Sequence, residues 1–182
     1  MILCAGRNET FDFAKPIGMG LVESAITLTR YVLEYKPAFL FFVGTAGSYG
    51  KYQPFDLLYS YHATNIELGF LENACYSPLE NSINAEKRYV SRGTSHDPVT
   101  VNSSNYITTS PVLAAKMLLH DVDLENMEFF SVIHVANQFN IPCLGLFIVT
   151  NFCDEHAHDD FIQNHAEAKR LIVLHVEKNM KI

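Results

Sequence analysis

"AFLFFVGTAGSYG", residues Ala38 to Gly50, sets an unbroken apolar run against a cluster of small and hydroxyl-bearing residues. "AFLFFVG" has no polar face, so it reads as a strand covered on both sides, and it is far too short to cross a bilayer. "GTAGSYG" then reads as a glycine-rich turn. Small residues there let backbone N–H groups approach a ligand, and Thr45 and Ser48 add hydroxyl donors. The same pattern also fits a purely structural tight turn. No GK[ST] follows, which excludes a Walker loop, and the dinucleotide spacing is missing.

Working outward, "GMGLVESAITLTRYVLEY" (Gly18 to about Tyr35) carries apolar residues at helical spacing: Leu21, Val22, Ala25, Ile26, Leu28, Tyr31 and Val32. Pro37 stops it. "MILCAG" at the start reads as a short buried strand. After the glycine stretch, "FDLLYSYHATNI" reads as a strand, and residues 69–94 as an irregular excursion with one short helix. "PVTVNSSNYIT" supplies one or two more strands. In "SPVLAAKMLLHDV", Ser110 and Pro111 make an N-cap and first-turn pair. A helix after Met127, the strand "PCLGLFIVT" and a terminal helix from about Asp159 complete the chain. Strands covered on both faces alternating with helices predict an α/β fold, a three-layer α/β/α sandwich with a mixed, mostly parallel central sheet. Ligands in such sheets sit beyond the carboxyl ends of the strands. Three strand ends carry polar groups: Arg7–Asn8–Glu9, Thr45–Ala46–Gly47–Ser48 and Thr150–Asn151.

Bulk properties narrow the class. A chain of 182 residues supports a single domain over 1–182. Its 48% apolar and 18% charged residues place it among globular proteins. A net charge of -7 argues against a nucleic-acid partner, and no run is long enough for a membrane span. Cys4, Cys75, Cys143 and Cys153 have no paired spacing, so free thiols and a cytoplasmic location are expected, with no signal peptide ahead of "MILCAG". His156 and His158 lie among Asp154, Glu155, Asp159 and Asp160, but their spacing does not match a helical zinc site, and no metal is expected.

"DLENMEFFSVIHVANQF", Asp123 to Phe139, places Glu125 and Glu128 at the mouth of an apolar helix. A carboxylate there fits a helix cap. Taken with "IGMGLVESAITLTRYVLEYKPAFLFFVGTAGS", "SSNYIT" and "IPCLGLFIVTN", in that order, the chain resembles the nucleoside phosphorylase and nucleosidase superfamily. The likeness is greatest to the methylthioadenosine/S-adenosylhomocysteine nucleosidases and to the purine nucleoside phosphorylases. The resemblance implies a phosphorylase/hydrolase-like sandwich and a site for a purine nucleoside. In it, Thr45 contacts the anion or water, and Ala46 and Gly47 line the base pocket. Tyr106 stacks on the purine with Ile107 beside it. Met127 lies beneath the ribose and Glu128 accepts its 2′ and 3′ hydroxyls, an alternative to the plain cap. Glu9 matches the nucleosidase glutamate that activates water, while Arg7 stands where a phosphate ligand would. The resemblance further implies a homodimer or larger homo-oligomer and no metal or organic cofactor.

Two departures stand out. The nucleosidases carry a Ser-Asp pair whose aspartate protonates the leaving base; here the pair is Thr150–Asn151. An amide delivers no proton, and general acid catalysis contributes about 10²–10⁴ in rate. Asn151 therefore either orients a 6-oxopurine, as in trimeric phosphorylases, or leaves proton delivery to another group such as Asp154, or marks a nucleoside-binding homologue without activity. The N-terminal half is also shortened, with only "TFDFAKP" between "AGRNE" and "IGMG". On nucleophile, Asn151 favours phosphorolysis with inorganic phosphate as co-substrate, with Arg88 and Arg92 as further cations. Glu9, and the lack of an arginine before the glycine stretch, favour hydrolysis. The narrow preference is a purine nucleoside phosphorylase, with a hydrolytic nucleosidase as the alternative.

Overall fold

A computed structural model describes residues 1–90 and 98–179. The chain runs β1 (Ile2–Cys4), β2 (Lys15–Pro16), α1 (Gly20–Tyr35), β3 (Leu40–Ser48), β4 (Leu57–Ser60), β5 (His62–Thr64), α2 (Leu68–Leu71), β6 (Ser82–Asn84), β7 (Thr100–Ser103), α3 (Pro111–Leu119), β8 (Leu124–Asn126), α4 (Phe129–Gln138), β9 (Cys143–Phe152) and α5 (Ala157–Asn179).

The apolar run Leu40–Val43 begins the central strand. β3 lies parallel to β1 and β9, and its end lies antiparallel to β8. The glycine stretch is not a turn. Residues 44–48 continue β3, because β9 accompanies it as far as Phe152 and β8 meets its other edge at Gly47 and Ser48. Its backbone groups are therefore drawn into ladders rather than left free for a ligand. Among the described residues the strands form one mixed sheet in which parallel ladders outnumber antiparallel ones. The segment expected as one strand over "FDLLYSYHATNI" breaks at Tyr61 and changes partner, β4 pairing with β9 and β5 with β7. The bend at Tyr61 thus links by chain the β9 side of the sheet to its β7 side. "TFDFAKP" supplies only β2 at the sheet's margin. β8 is three residues long, too short for a periodic signal, and was missed in sequence.

Side-chain alternation along β3 builds the layers. Leu40 and Phe42 join Leu28 and Val32 of α1 and Phe129, Val132 and Ile133 of α4. Phe41 and Val43 join Ala168, Ile172 and Val176 of α5 on the opposite face. Each such side chain other than Ala168, fully buried, contributes about 1.5–3 kcal/mol. In α1 the buried face is Gly20, Ser24, Leu28 and Val32, one per turn. Val22 and Ile26, expected on that face, are instead 67% and 59% exposed, in line with Leu33 at 62%. Ser110 caps α3 as its sequence predicts, its Oγ accepting from the Leu113 N–H at 3.4 Å. The four cysteines are free. Among the described residues no helix is long and apolar enough to cross a membrane.

Candidate active site

A cavity of about 370 Å³ opens beyond the carboxyl ends of β1, β3 and β9, between the entrances of α1, α4 and α5. It gathers the three polar strand ends picked out in the sequence. Glu9, Thr45, Ala46, Gly47, Thr150 and Asn151 all line it, together with Met127 and Glu128.

Glu9 reaches the cavity from a tight turn closed by Glu9 N–H to the Gly6 carbonyl at 2.9 Å. Thr45 gives both of its donors to this carboxylate: the hydroxyl to Oε1, and the backbone N–H to Oε2 at 3.2 Å. Burial pushes the Glu9 carboxyl above its usual range, and the Thr45 bonds and the charge of Lys169 pull it back. Lys169 also anchors the turn, its Nζ donating to the Asn8 carbonyl at 2.9 Å and lying 5.6 Å from the centre of the Phe11 ring.

Glu128 is 3% exposed, and burial together with the charge of Glu9 raises its carboxyl to about 7. It stands at the N-cap position of α4 but makes no side-chain cap bond. Asn126 does the capping, its Oδ1 accepting from Glu128 N–H at 2.9 Å and Phe129 N–H at 3.0 Å. Freed from that duty, Glu128 turns toward the start of α1 and accepts the Gly20 N–H at 3.0 Å. Gly20 has φ +80, and a Cβ there would lie 2.7 Å from Asn105 Oδ1, so only glycine presents its amide this way. A helix N-terminus steadies the anion.

Asn151 owes its position to a bulge. Ala46 pairs with Val149 and Gly47 with Asn151, so Thr150 is the extra residue in β9. The Thr150 hydroxyl donates to Asn151 Oδ1 at 2.8 Å, and Asn151 Nδ2 donates to the Phe152 carbonyl at 2.9 Å. This fixes the amide's orientation and leaves one N–H of Nδ2 for the cavity. A Cβ on Gly47 would stand 3.2 Å from Nδ2 and 2.8 Å from Cys153 Sγ, so the missing side chain makes the room. On the far side of Gly47 its β8 partner is Glu125, which the sequence had read only as a helix-mouth carboxylate. Glu125 lines the cavity at 8% exposure and accepts from Thr108 N–H at 2.8 Å, Thr108 Oγ1 at 2.5 Å and Tyr49 OH at 2.9 Å.

The remaining expected residues divide. Ile107 lines the cavity although it is 56% exposed. Tyr106, 69% exposed, is not among the lining residues. Arg7 lines the wall, but its guanidinium faces Glu23 at 3.9 Å. Asp154 does not line the cavity; its carboxylate accepts the His156 N–H at 2.9 Å ahead of α5. Arg88 lies over the Tyr61 ring at 5.1 Å, away from the cavity, and Arg92 falls outside the described residues. Met19, His158 and Phe161 line the cavity without having been singled out for it; they sit at helix entrances, where sequence gives no sign of what lies opposite. Among the described residues no group of three His, Cys, Asp or Glu side chains is placed to hold a metal ion.

A family model described as the phosphorylase superfamily matches residues 13–178. No curated protein matches the chain in sequence. Solved structures of similar shape include a futalosine hydrolase mutant of Helicobacter pylori, with TM-score 0.73, 17% identity, and 97% of each chain covered. They also include a Helicobacter pylori methylthioadenosine nucleosidase mutant with 5′-methylthioadenosine in its active site, with TM-score 0.75, 17% identity and 97% of each chain covered. A 5′-methylthioadenosine/S-adenosylhomocysteine nucleosidase from S. pneumoniae with a transition-state inhibitor matches with TM-score 0.73 and 13% identity over 93% of each chain. At such identities the likeness is one of fold.

Proposed function

The chain belongs to the phosphorylase superfamily, and from that premise we propose that it is a nucleosidase, hydrolysing the N-ribosyl bond of a purine nucleoside. The observation that carries this reading is that the described lining of the cavity offers carboxyl groups and almost no cation. Glu9, Glu125 and Glu128 line it, whereas Arg7 is the one lysine or arginine among the described lining residues and is turned to Glu23. A phosphorylase must hold a dianion, which calls for cations and free backbone donors. Thr45 has given both of its donors to Glu9. Water needs no such cradle. The sequence alone inclined to phosphorolysis; the scarcity of cations and of free Thr45 donors supports the hydrolytic alternative, and so do the hydrolases and nucleosidases of similar shape.

In this reading Glu128 grips the 2′ and 3′ hydroxyls of the ribose above Met127. Its negative charge favours the positive character that develops at C1′ as the bond to the base breaks. Glu9, oriented by Thr45, takes the proton of the attacking water. Ala46, Gly47 and Ile107 flank the base, and the free N–H of Asn151 holds an acceptor on it. Tyr106 closes over the base from the rim. No metal or organic cofactor takes part, and Arg7 needs no phosphate. The working unit is a homodimer or larger, since Val22, Ile26 and Leu33 leave an apolar stripe on α1 beside Met19 at the cavity.

The test is incubation with inosine, guanosine, adenosine and methylthioadenosine, with and without phosphate, followed by analysis for base, ribose and ribose 1-phosphate. Base and free ribose released without phosphate support the reading. Release that requires phosphate and yields ribose 1-phosphate makes the protein a phosphorylase. Tight binding with no turnover makes it a nucleoside-binding homologue. Size-exclusion chromatography with light scattering reports the subunit number.

A further inference from the structure

Hydrolysis of a purine nucleoside leaves one role unfilled. The departing base must be protonated, and neither the Asn151 amide nor Asp154, which sits outside the cavity wall, can do it there. We propose that Glu125 is the catalytic acid, its carboxyl delivering a proton to a ring nitrogen of the base beside Asn151. This rests on the nucleosidase reading and names a group within the same site.

Placement comes first. Glu125 and Asn151 are the two register partners of Gly47, one from β8 and one from β9. Paired residues of neighbouring strands direct their side chains to the same face of a sheet. A Cβ built on Gly47 lies 3.2 Å from Asn151 Nδ2 and 3.8 Å from Glu125 Cβ. The glycine therefore opens a slot with the amide on one side and the carboxyl on the other. Both line the cavity. A base whose edge meets Asn151 has Glu125 lining the cavity across Gly47.

The surroundings of Glu125 suit a group that changes protonation state. Two of its partners, Tyr49 OH and Thr108 Oγ1, are hydroxyls, which donate to a carboxylate and accept from a carboxylic acid. Either hydroxyl can therefore stay bonded to Glu125 in both of its forms. Burial raises the Glu125 carboxyl, opposed by the Thr108 and Tyr49 bonds and by the Cys153 thiol. The titratable groups facing it, Tyr49 and Cys153, are both pushed well up and stay neutral, with Asp154 acting on Cys153 from beyond.

The step balances. The electron pair of the C1′–N bond passes to the base, whose ring nitrogen takes the Glu125 proton. Water adds to C1′ and gives its proton to Glu9. The products are ribose and the neutral base, and transfer of a proton from Glu9 to solvent and from solvent to Glu125 restores the start.

The experiment compares a purine nucleoside with 4-nitrophenyl β-D-ribofuranoside, whose leaving group departs without protonation. For Glu125→Gln, kcat/KM for the nucleoside falls by about 10²–10⁴, while the nitrophenyl riboside is cleaved within about tenfold of wild type and the alkaline limb of the pH profile disappears. Equal loss on both substrates, or loss on neither, overturns the assignment to Glu125 and leaves the nucleosidase reading standing. A wild-type protein that cleaves neither overturns both. Should Glu125→Gln not fold, Tyr49→Phe removes one hydrogen bond that lowers the carboxyl, so the alkaline limb moves to higher pH. An unmoved limb overturns the assignment.

Discussion

Glu128 Oε1 lies 3.0 Å from the backbone nitrogen of Gly20, joining the entrance of α4 to the entrance of α1 across 108 residues of chain. An anion is thereby held at a helix N-terminus inside the cavity, close enough to Glu9 for that charge to resist the ionisation of Glu128. In the proposed reading this carboxylate holds the sugar diol, yet burial and the Glu9 charge make it costly to keep charged, against the Gly20 N–H that favours the anion.

Glu128→Gln is expected to separate those two effects. The folded carboxyl titrates near 7 against 4.5 when unfolded, so the folded state holds its proton more tightly, and that stability is full below pH ~4.5 and lost as pH rises through 7. The loss is on the order of 3 kcal/mol. Denaturant unfolding should show Glu128→Gln less dependent on pH across this window and at least as stable as wild type above it. Its kcat/KM should nonetheless fall by about 10²–10³. A variant with affinity and turnover both intact would remove the ribose role altogether.

Lys169 should govern the pH at which Glu9 works. Its charge draws the Glu9 carboxyl downward and its Nζ fixes the turn at Asn8. In Lys169→Met the Glu9 carboxyl rises, the base is available only at higher pH, and the acidic limb of kcat shifts upward. Lys169→Arg should restore the limb. Glu9→Gln should lose at least about 10²-fold in kcat at every pH.

Asn151→Asp should gain rate on adenine nucleosides. The introduced carboxyl meets the Phe152 carbonyl where Nδ2 now donates at 2.9 Å, so it must carry a proton to keep that bond. Shared with the Phe152 carbonyl at rest, that proton becomes available to a base bound against residue 151, beside Glu125. A rise in kcat/KM of about tenfold or more on adenosine or methylthioadenosine is expected in steady-state assays.

Gly47→Ala should damage the site from inside the sheet. The new methyl would lie 2.8 Å from Cys153 Sγ and 3.2 Å from Asn151 Nδ2, an overpacking that costs about 1–3 kcal/mol. Adding Cys153→Ala should recover part of the thermal stability while activity stays low, because the displaced Asn151 is not restored.

Much of the architecture was readable in local pattern. Leu40–Val43 and Leu144–Val149 show no polar face because α1 and α4 cover one side and α5 the other, and Ser110 with Pro111 marked the start of α3. The polar residues after β1, β3 and β9 were recognisable because strand ends converge in such sheets. Three-residue β8 was not, and neither was the break at Tyr61, since both depend on which strand lies alongside.

By itself the sequence determined the layered α/β class and pointed to Glu9, Thr45, Asn151, Met127 and Glu128, which the fold brings to one cavity, because alternation, helical spacing and ordered motifs are properties of short stretches of chain. Only the tertiary structure decided that residues 44–48 are strand rather than turn, that Asn126 and not Glu128 caps α4, and that Glu125 faces Asn151 across Gly47. Those outcomes follow from register and bulges between distant strands. A single shift in pairing would turn the same side chains to the opposite face, and no local pattern records which pairing is made.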